Sequence, residues 1–248
     1  RMLRQVGVDP DAALLRLPVQ MRYPPGGDGM DFVAPRLPAP LHLAFALLRA
    51  KGLARADKLA LARFNSAGRW MGWALDVDCT VAELLERFDQ TERLTTLMWR
   101  PLCIAALNTP PERASANVFL AVLRDSLGAS RRAASDMLLP RVAMGALFPE
   151  PAGAWLAREG HAVRAGVKVA AIARNVDGDG WCLTTGAGDE RVDAVVLATP
   201  ASTSATLLAP FADCAALSAQ LDGFTYEPIA TCYLQYAPGT RLDLPFCA

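Results

Sequence analysis

The sequence predicts a mixed fold, α+β with an α/β portion, and three observations carry that expectation. Residues 13–36 alternate apolar and polar positions around a Pro-Pro-Gly-Gly-Asp-Gly turn, the pattern of a β-hairpin. From Pro40 the apolar period becomes helical and stays so to about residue 128. Residues 166–200, GVKVAAIARNVDGDGWCLTTGAGDERVDAVVLATP, then read as strand, tight turn, strand, short turn and apolar strand.

In the hairpin, LLRLPVQMRY forms the outgoing arm and Met30-Asp-Phe-Val the return. Leu41, Phe45 and Leu48 share one face of the first helix, which Gly52 ends; Asp57 caps the next, running toward Trp70 and Trp73. Thr80-Val-Ala-Glu83 is a capping box, because threonine and glutamate each satisfy a free amide of the other's turn. It opens a helix burying Val81, Leu84, Leu85 and Phe88. A helix over 91–107 is kinked by Pro101, which removes a backbone donor. Thr109-Pro-Pro-Glu112 reads as a second capping box, opening a helix to Leu127. An alanine-rich helix runs from about Pro151 to Gly160. In the last block, Val167, Val169 and Ile172 mark a strand and Asp177-Gly-Asp-Gly180 a hairpin turn. The run 192–198 reads as a parallel strand covered on both faces. A helix over 201–220 and a strand over 229–236 follow. Arg1–Gly7 reads as a helix already under way and Leu244–Ala248 as a strand approach, so an internal segment of a longer protein is expected.

Composition removes several function classes. Of 248 residues, 52% are hydrophobic and 20% charged, so the core is large or apolar surface meets a ligand, partner or membrane. Twenty-five basic residues balance twenty-five acidic ones, which argues against nucleic acid as a partner. Six scattered cysteines and two distant histidines offer neither a disulfide framework nor a metal site, and point to reduced thiols in the cytoplasm. No run of about 18 apolar residues spans a bilayer. Helix 41–48 admits peripheral contact with the inner membrane face, against the plainer reading of a buried helix. No serine sits in G-x-S-x-G, so a hydrolase is not indicated.

Residues 166–200 resemble the second half of the flavin-binding domain of the amine oxidase and phytoene desaturase superfamily. Two blocks narrow the resemblance: PLCIAALNTPPERASANVFLAVLRDSLG (101–128) and ASDMLLPRVAMGALFPEPAGAWL (134–156). With the opening RMLRQVGVDPDAALLRLPVQMRYP, they are similar to the hydroxysqualene dehydroxylases, also called squalene-associated FAD-dependent desaturases. The resemblance implies an FAD-dependent oxidoreductase that removes the hydroxyl of hydroxysqualene to give squalene in bacterial hopanoid biosynthesis. It also implies a helical and mixed-sheet substrate domain joined to part of a Rossmann-like FAD domain. The expected division is 1–140 substrate domain, 141–205 partial FAD-binding domain and 206–248 a return to the substrate domain. No G-x-G-x-x-G occurs in these residues, so nothing here cradles a pyrophosphate. Weak or absent FAD binding, and no activity, are expected of the segment by itself.

By the same resemblance, Val169 matches the position whose backbone meets adenine, and Ala198, Thr199 and Pro200 the strand end beside the flavin diphosphate. An apolar isoprenoid needs an apolar tunnel, for which Trp70, Trp73, Met98, Trp99 and Phe119 are candidates, with Asn108 a candidate to bond a hydroxyl; plain core for the five, and a turn for Asn108, are the plainer readings. Asp125 and Asp136 are weak candidate proton donors, a solvated charge for Asp125 and a helix cap for Asp136 being the simpler readings. Two alternatives stay open. A carotenoid desaturase or amine oxidase relative would share the strand motif, and a non-catalytic helical module would bind an apolar ligand or partner without flavin.

Overall fold

The computed structural model describes residues 1–241 except Pro25, Leu127, Ala129, Ser130 and the side chain of Arg132. They fall into two compact units, one of Arg1–Glu150 with residues from Ile229 onward, the other Pro151–Pro228.

The first unit opens with α1 (Met2–Gln5) and α2 (Pro10–Ala13), the latter capped by Asp9, whose carboxylate accepts the Asp11 amide. Three short strands follow: β1 (Leu14–Leu17), β2 (Gln20–Arg22) and β3 (Asp31–Val33). The expected hairpin exists as β2 against β3, with Met21 opposite Phe32. β1 does not extend it. Pro18 has no amide hydrogen for a ladder, and β1 pairs instead, antiparallel, with β4 (Met137–Pro140), Leu15 facing Leu139.

The helices are α3 (Leu41–Arg49), α4 (Arg55–Trp70), α5 (Val81–Arg87), α6 (Glu92–Leu94), α7 (Arg100–Leu107), α8 (Ala116–Ser126) and α9 (Met144–Leu147). Leu41, Phe45 and Leu48 do share a face of α3, but it is the solvent face; His42 and Ala46 point inward. The 80–83 capping box forms as the sequence predicts. Pro101 does more than kink its helix. A π-helical turn, Thr95–Trp99, separates α6 from α7 just ahead of the proline.

The expected capping box at 109–112 is not there. The Thr109 hydroxyl donates back to the Leu107 carbonyl, Glu112 pairs with Arg100, and the helix begins later, at Ala116. Ser115 and Asp78 satisfy its first amides, at Val118 and Asn117. Its expected end at Leu127 lies outside the described residues. The core gathers Phe64, Val81, Leu84, Leu94, Trp99, Phe119, Leu120 and Leu123, all buried.

In the second stretch α10 (Pro149–Arg158) precedes a three-stranded antiparallel meander: β5 (Val169–Arg174), β6 (Trp181–Thr185) and β7 (Gly188–Val192). Gly178 and Gly180 take the positive φ angles of the first turn. The third strand is therefore the polar GDERV, not the apolar run after it. Residues 194–198 are unpaired and largely exposed, because no neighbouring strand lies beside them among the described residues. The long helix expected over 201–220 is two, α11 (Ala201–Leu208) and α12 (Ala215–Asp222), separated at Pro210. The strand expected over 229–236 lacks a ladder partner and has no strand pairing, and the strand approach at 244–248 lies outside the described residues.

Candidate functional site

The site in the first unit grows from the π-helical turn. Thr91 caps α6 by accepting the Leu94 amide (3.2 Å), while its hydroxyl donates to Asp57 (2.7 Å). The other Asp57 oxygen accepts the Ala54 amide at 2.7 Å, so one buried carboxylate fixes the starts of α4 and α6 together. Proline at 101 leaves the Leu97 carbonyl without an α-helical donor four residues on, and the Tyr23 hydroxyl donates to it at 2.8 Å. Burial pushes the Tyr23 phenol up, which keeps that hydroxyl a donor. The turn is thus held in register, with Met98 and Trp99 directed inward.

Trp99 is 1% exposed. Its ring lies 4.9 Å from that of Phe64 and 6.1 Å, edge-on, from that of Phe119. Its indole N–H donates to Gln90 Oε1 (3.0 Å), and the Gln90 amide nitrogen donates to the Ala60 and Phe88 carbonyls. Trp73 follows the end of α4 in a left-handed conformation, φ 57°. Gly68 makes room for its ring, since a Cβ there would meet the indole at 2.7 Å.

Between α3, α4 and this turn lies a cavity of about 310 Å³, at the lower end of ligand-sized pockets (roughly 300–1,000 Å³). Leu43, Ala44 and Leu47 of α3 form one wall. Trp73, Met98 and Trp99 form the inner end. Asn65, Ser66 and Arg69 of α4 bring polar groups into a lining that is otherwise apolar.

Three of the aromatic and sulfur candidates therefore converge: Trp73, Met98 and Trp99. Phe119 sits behind Trp99 without lining the cavity. Trp70 is 92% exposed, and Asn108 ends α7 in a left-handed conformation (φ 51°) outside the lining. Asp125 is exposed and paired with Arg124 at 2.9 Å. The Asp136 side chain is only 2% exposed and meets Arg16 at 3.5 Å; its neighbour Ser135 bonds the buried His42 at 2.9 Å. The α3 wall and the α4 polar trio were not foreseen. Their signal is the spacing 62, 65, 66, 69, a helical edge between buried and exposed faces. No cluster among the described residues could hold a metal ion.

The cofactor candidates lie in the other unit. Val169 opens β5, with a register irregularity before Ala171, and α11 packs against that strand. Ala198, Thr199 and Pro200 are exposed; Pro200 is the N-cap of α11, and the Thr199 and Ser204 hydroxyls meet at 2.7 Å. Small exposed residues leading into a helix N-terminus suit a dinucleotide, whose charge favours free amides and the positive end of a helix. The fit is to part of the group, since the chain carries no glycine-rich phosphate turn.

The sequence profile described as flavin containing amine oxidoreductase matches residues 35–245. A hydroxysqualene dehydroxylase of Sinorhizobium fredii is 35% identical over 114 residues, 44% of this chain and 26% of that protein. The match thus spans about a quarter of that relative's length. A crystal structure described as a protoporphyrinogen oxidase from Exiguobacterium sp. 255-15 aligns over 84% of this chain and 46% of its own, with a TM-score of 0.48 and 16% identity.

Proposed function

Because this chain belongs to the flavin-containing amine oxidoreductase family, we propose that the protein is an FAD-dependent oxidoreductase acting on a long apolar isoprenoid. The reaction we assign is reductive removal of the hydroxyl of hydroxysqualene to give squalene. The carrying observation is the apolar cavity that ends on Trp73, Met98 and Trp99. The chain's similarity to the Sinorhizobium hydroxysqualene dehydroxylase supports the choice of substrate.

Each lining group has a task in this account. Leu43, Leu47 and Met98 exclude water and hold the chain by apolar burial. The faces of Trp73 and Trp99 stabilise positive charge that develops on an allylic carbon as the hydroxyl departs. Asn65 orients the hydroxyl through its amide. The Val169 backbone would meet the adenine of FAD, and Ala198, Thr199 and Pro200 would lie beside its diphosphate. When bound and reduced, FAD supplies the hydride that replaces the hydroxyl, which leaves with a proton as water.

The test is anaerobic incubation, with reduced FAD and hydroxysqualene, of a chain long enough to include a glycine-rich phosphate turn, followed by chromatography for squalene. Squalene formation, with primary amines left unreacted under air, supports the assignment. Amine oxidation with no squalene would transfer the protein to the amine oxidase reading.

A further inference from the structure

A second surface of the first unit is chemically unlike the rest of the chain. Between residues 36 and 70 lie Arg36, Arg49, Lys51, Arg55, Lys58, Arg63 and Arg69, against one acid, Asp57. Asp57 is buried and its oxygens are engaged by Ala54 and Thr91. In a chain whose total charges balance, this stretch is therefore strongly basic at its surface.

These cations also lack the partners found elsewhere. Arg22, Arg93, Arg100 and Arg124 each hold a carboxylate. Among the described residues, no carboxylate lies within ion-pair distance of Arg36, Arg49, Arg55, Arg63 or Arg69.

Apolar side chains are interleaved with the charge. Leu41, Phe45 and Leu48 recur along one exposed face of α3, Leu48 being 69% exposed. On α4 the exposed stripe reads Arg55, Leu59, Arg63, Ser66, Trp70, spacings that keep all five on one side of a helix. Lys58 ties the two helices by donating to the Leu48 carbonyl at 2.8 Å. The cavity opens between the stripes, where Ala44, Ser66 and Arg69 are both lining and exposed.

We propose that the α3–α4 face is a docking surface for an anionic lipid bilayer, with the cavity mouth turned toward the lipid. Cations without internal partners draw the surface to acidic headgroups, and the leucines, Phe45 and Trp70 enter the headgroup–acyl boundary. A soluble polyanion would use the charge and leave the apolar stripe in water. The interleaving favours the bilayer. No described helix is long and apolar enough to cross a membrane. The docking surface does not depend on which reaction the protein performs.

Flotation of the full chain with phosphatidylcholine vesicles, with and without phosphatidylglycerol, tests this. The protein rises with the anionic vesicles, and less so as salt increases. The pair Arg55→Glu and Arg63→Glu weakens partitioning roughly tenfold or more, since each cation near an anionic surface contributes several-fold. The pair Phe45→Ser and Leu48→Ser weakens it while keeping the salt dependence. All four positions are exposed, and unchanged circular dichroism confirms that the variants fold. Arg158→Glu, exposed in the other unit, changes nothing. Equal flotation with both vesicle types, indifference to the charge reversals, or retention on heparin without vesicle binding would each overturn the proposal; the last would assign the face to a polyanion.

Discussion

The hydroxyl of Tyr23, in the loop after β2, donates to the carbonyl of Leu97 in the π-helical turn at 2.8 Å. That bond joins residues 74 positions apart at the one helical carbonyl for which Pro101 can provide no amide. Tyr23→Phe leaves the carbonyl without this donor and costs about 1–2 kcal/mol, read as a lower urea midpoint at unchanged m-value. The same variant loosens Met98 and Trp99, so tryptophan emission shifts to longer wavelength.

Gly52 follows α3, the helix that forms one cavity wall. It takes φ +75°, and a Cβ there would collide with the Gly29 carbonyl oxygen, while Arg93 donates to the Gly52 carbonyl at 2.5 Å. Gly52→Ala therefore combines backbone strain with a clash against backbone that cannot step aside. A loss of about 2–4 kcal/mol is expected in chemical denaturation. Gly7→Ala, at similar φ but in open space, costs about 1 kcal/mol.

Asp78 gives the fold an acid-side sensitivity. The Ser115 hydroxyl, followed by the Asn117 amide, holds its carboxyl below the usual aspartate range. A carboxylate depressed in the folded state contributes stability above its unfolded pKa, and that contribution disappears as pH falls through the folded value. The wild type minus Asp78→Asn difference in urea midpoint should be largest at neutral pH and shrink on acidification. A difference independent of pH would remove the carboxylate from this role.

Ala44 lines the cavity and is exposed. Ala44→Phe narrows the entrance and leaves the core intact. Squalene, titrated in detergent, should produce a saturable change in tryptophan emission through Trp73 and Trp99. The variant should need at least roughly tenfold more ligand, equivalent to about 1.4 kcal/mol. Its melting temperature should match that of the wild type.

The sequence made local features legible and long-range ones not. The Thr80–Glu83 cap and the Asp177–Gly180 turn are written in adjacent residues, and both formed. Thr109–Glu112 has the same spelling as a cap, yet Arg100 takes its glutamate. No window of sequence shows that competition. Periodicity showed that Leu41, Phe45 and Leu48 share a face, but not whether the face looks in or out, because Leu and Phe satisfy either environment. Residues 194–198 have the apolar run of a buried strand, and a strand is made by its neighbours. The convergence of Trp73, Met98 and Trp99 depended on a π-helical turn and a left-handed tryptophan. Only the proline hinted at the first, and nothing hinted at the second.

The proposed function puts the isoprenoid chain in the α3–α4–π-turn cavity. A squalene analogue carrying a diazirine, photolysed with the protein and mapped by peptide mass spectrometry, tests it most directly. Labels are expected on Leu43, Leu47, Met98 and Trp99, suppressed by excess squalene. Labelling confined to residues 151–228, or labelling that squalene does not suppress, would contradict it.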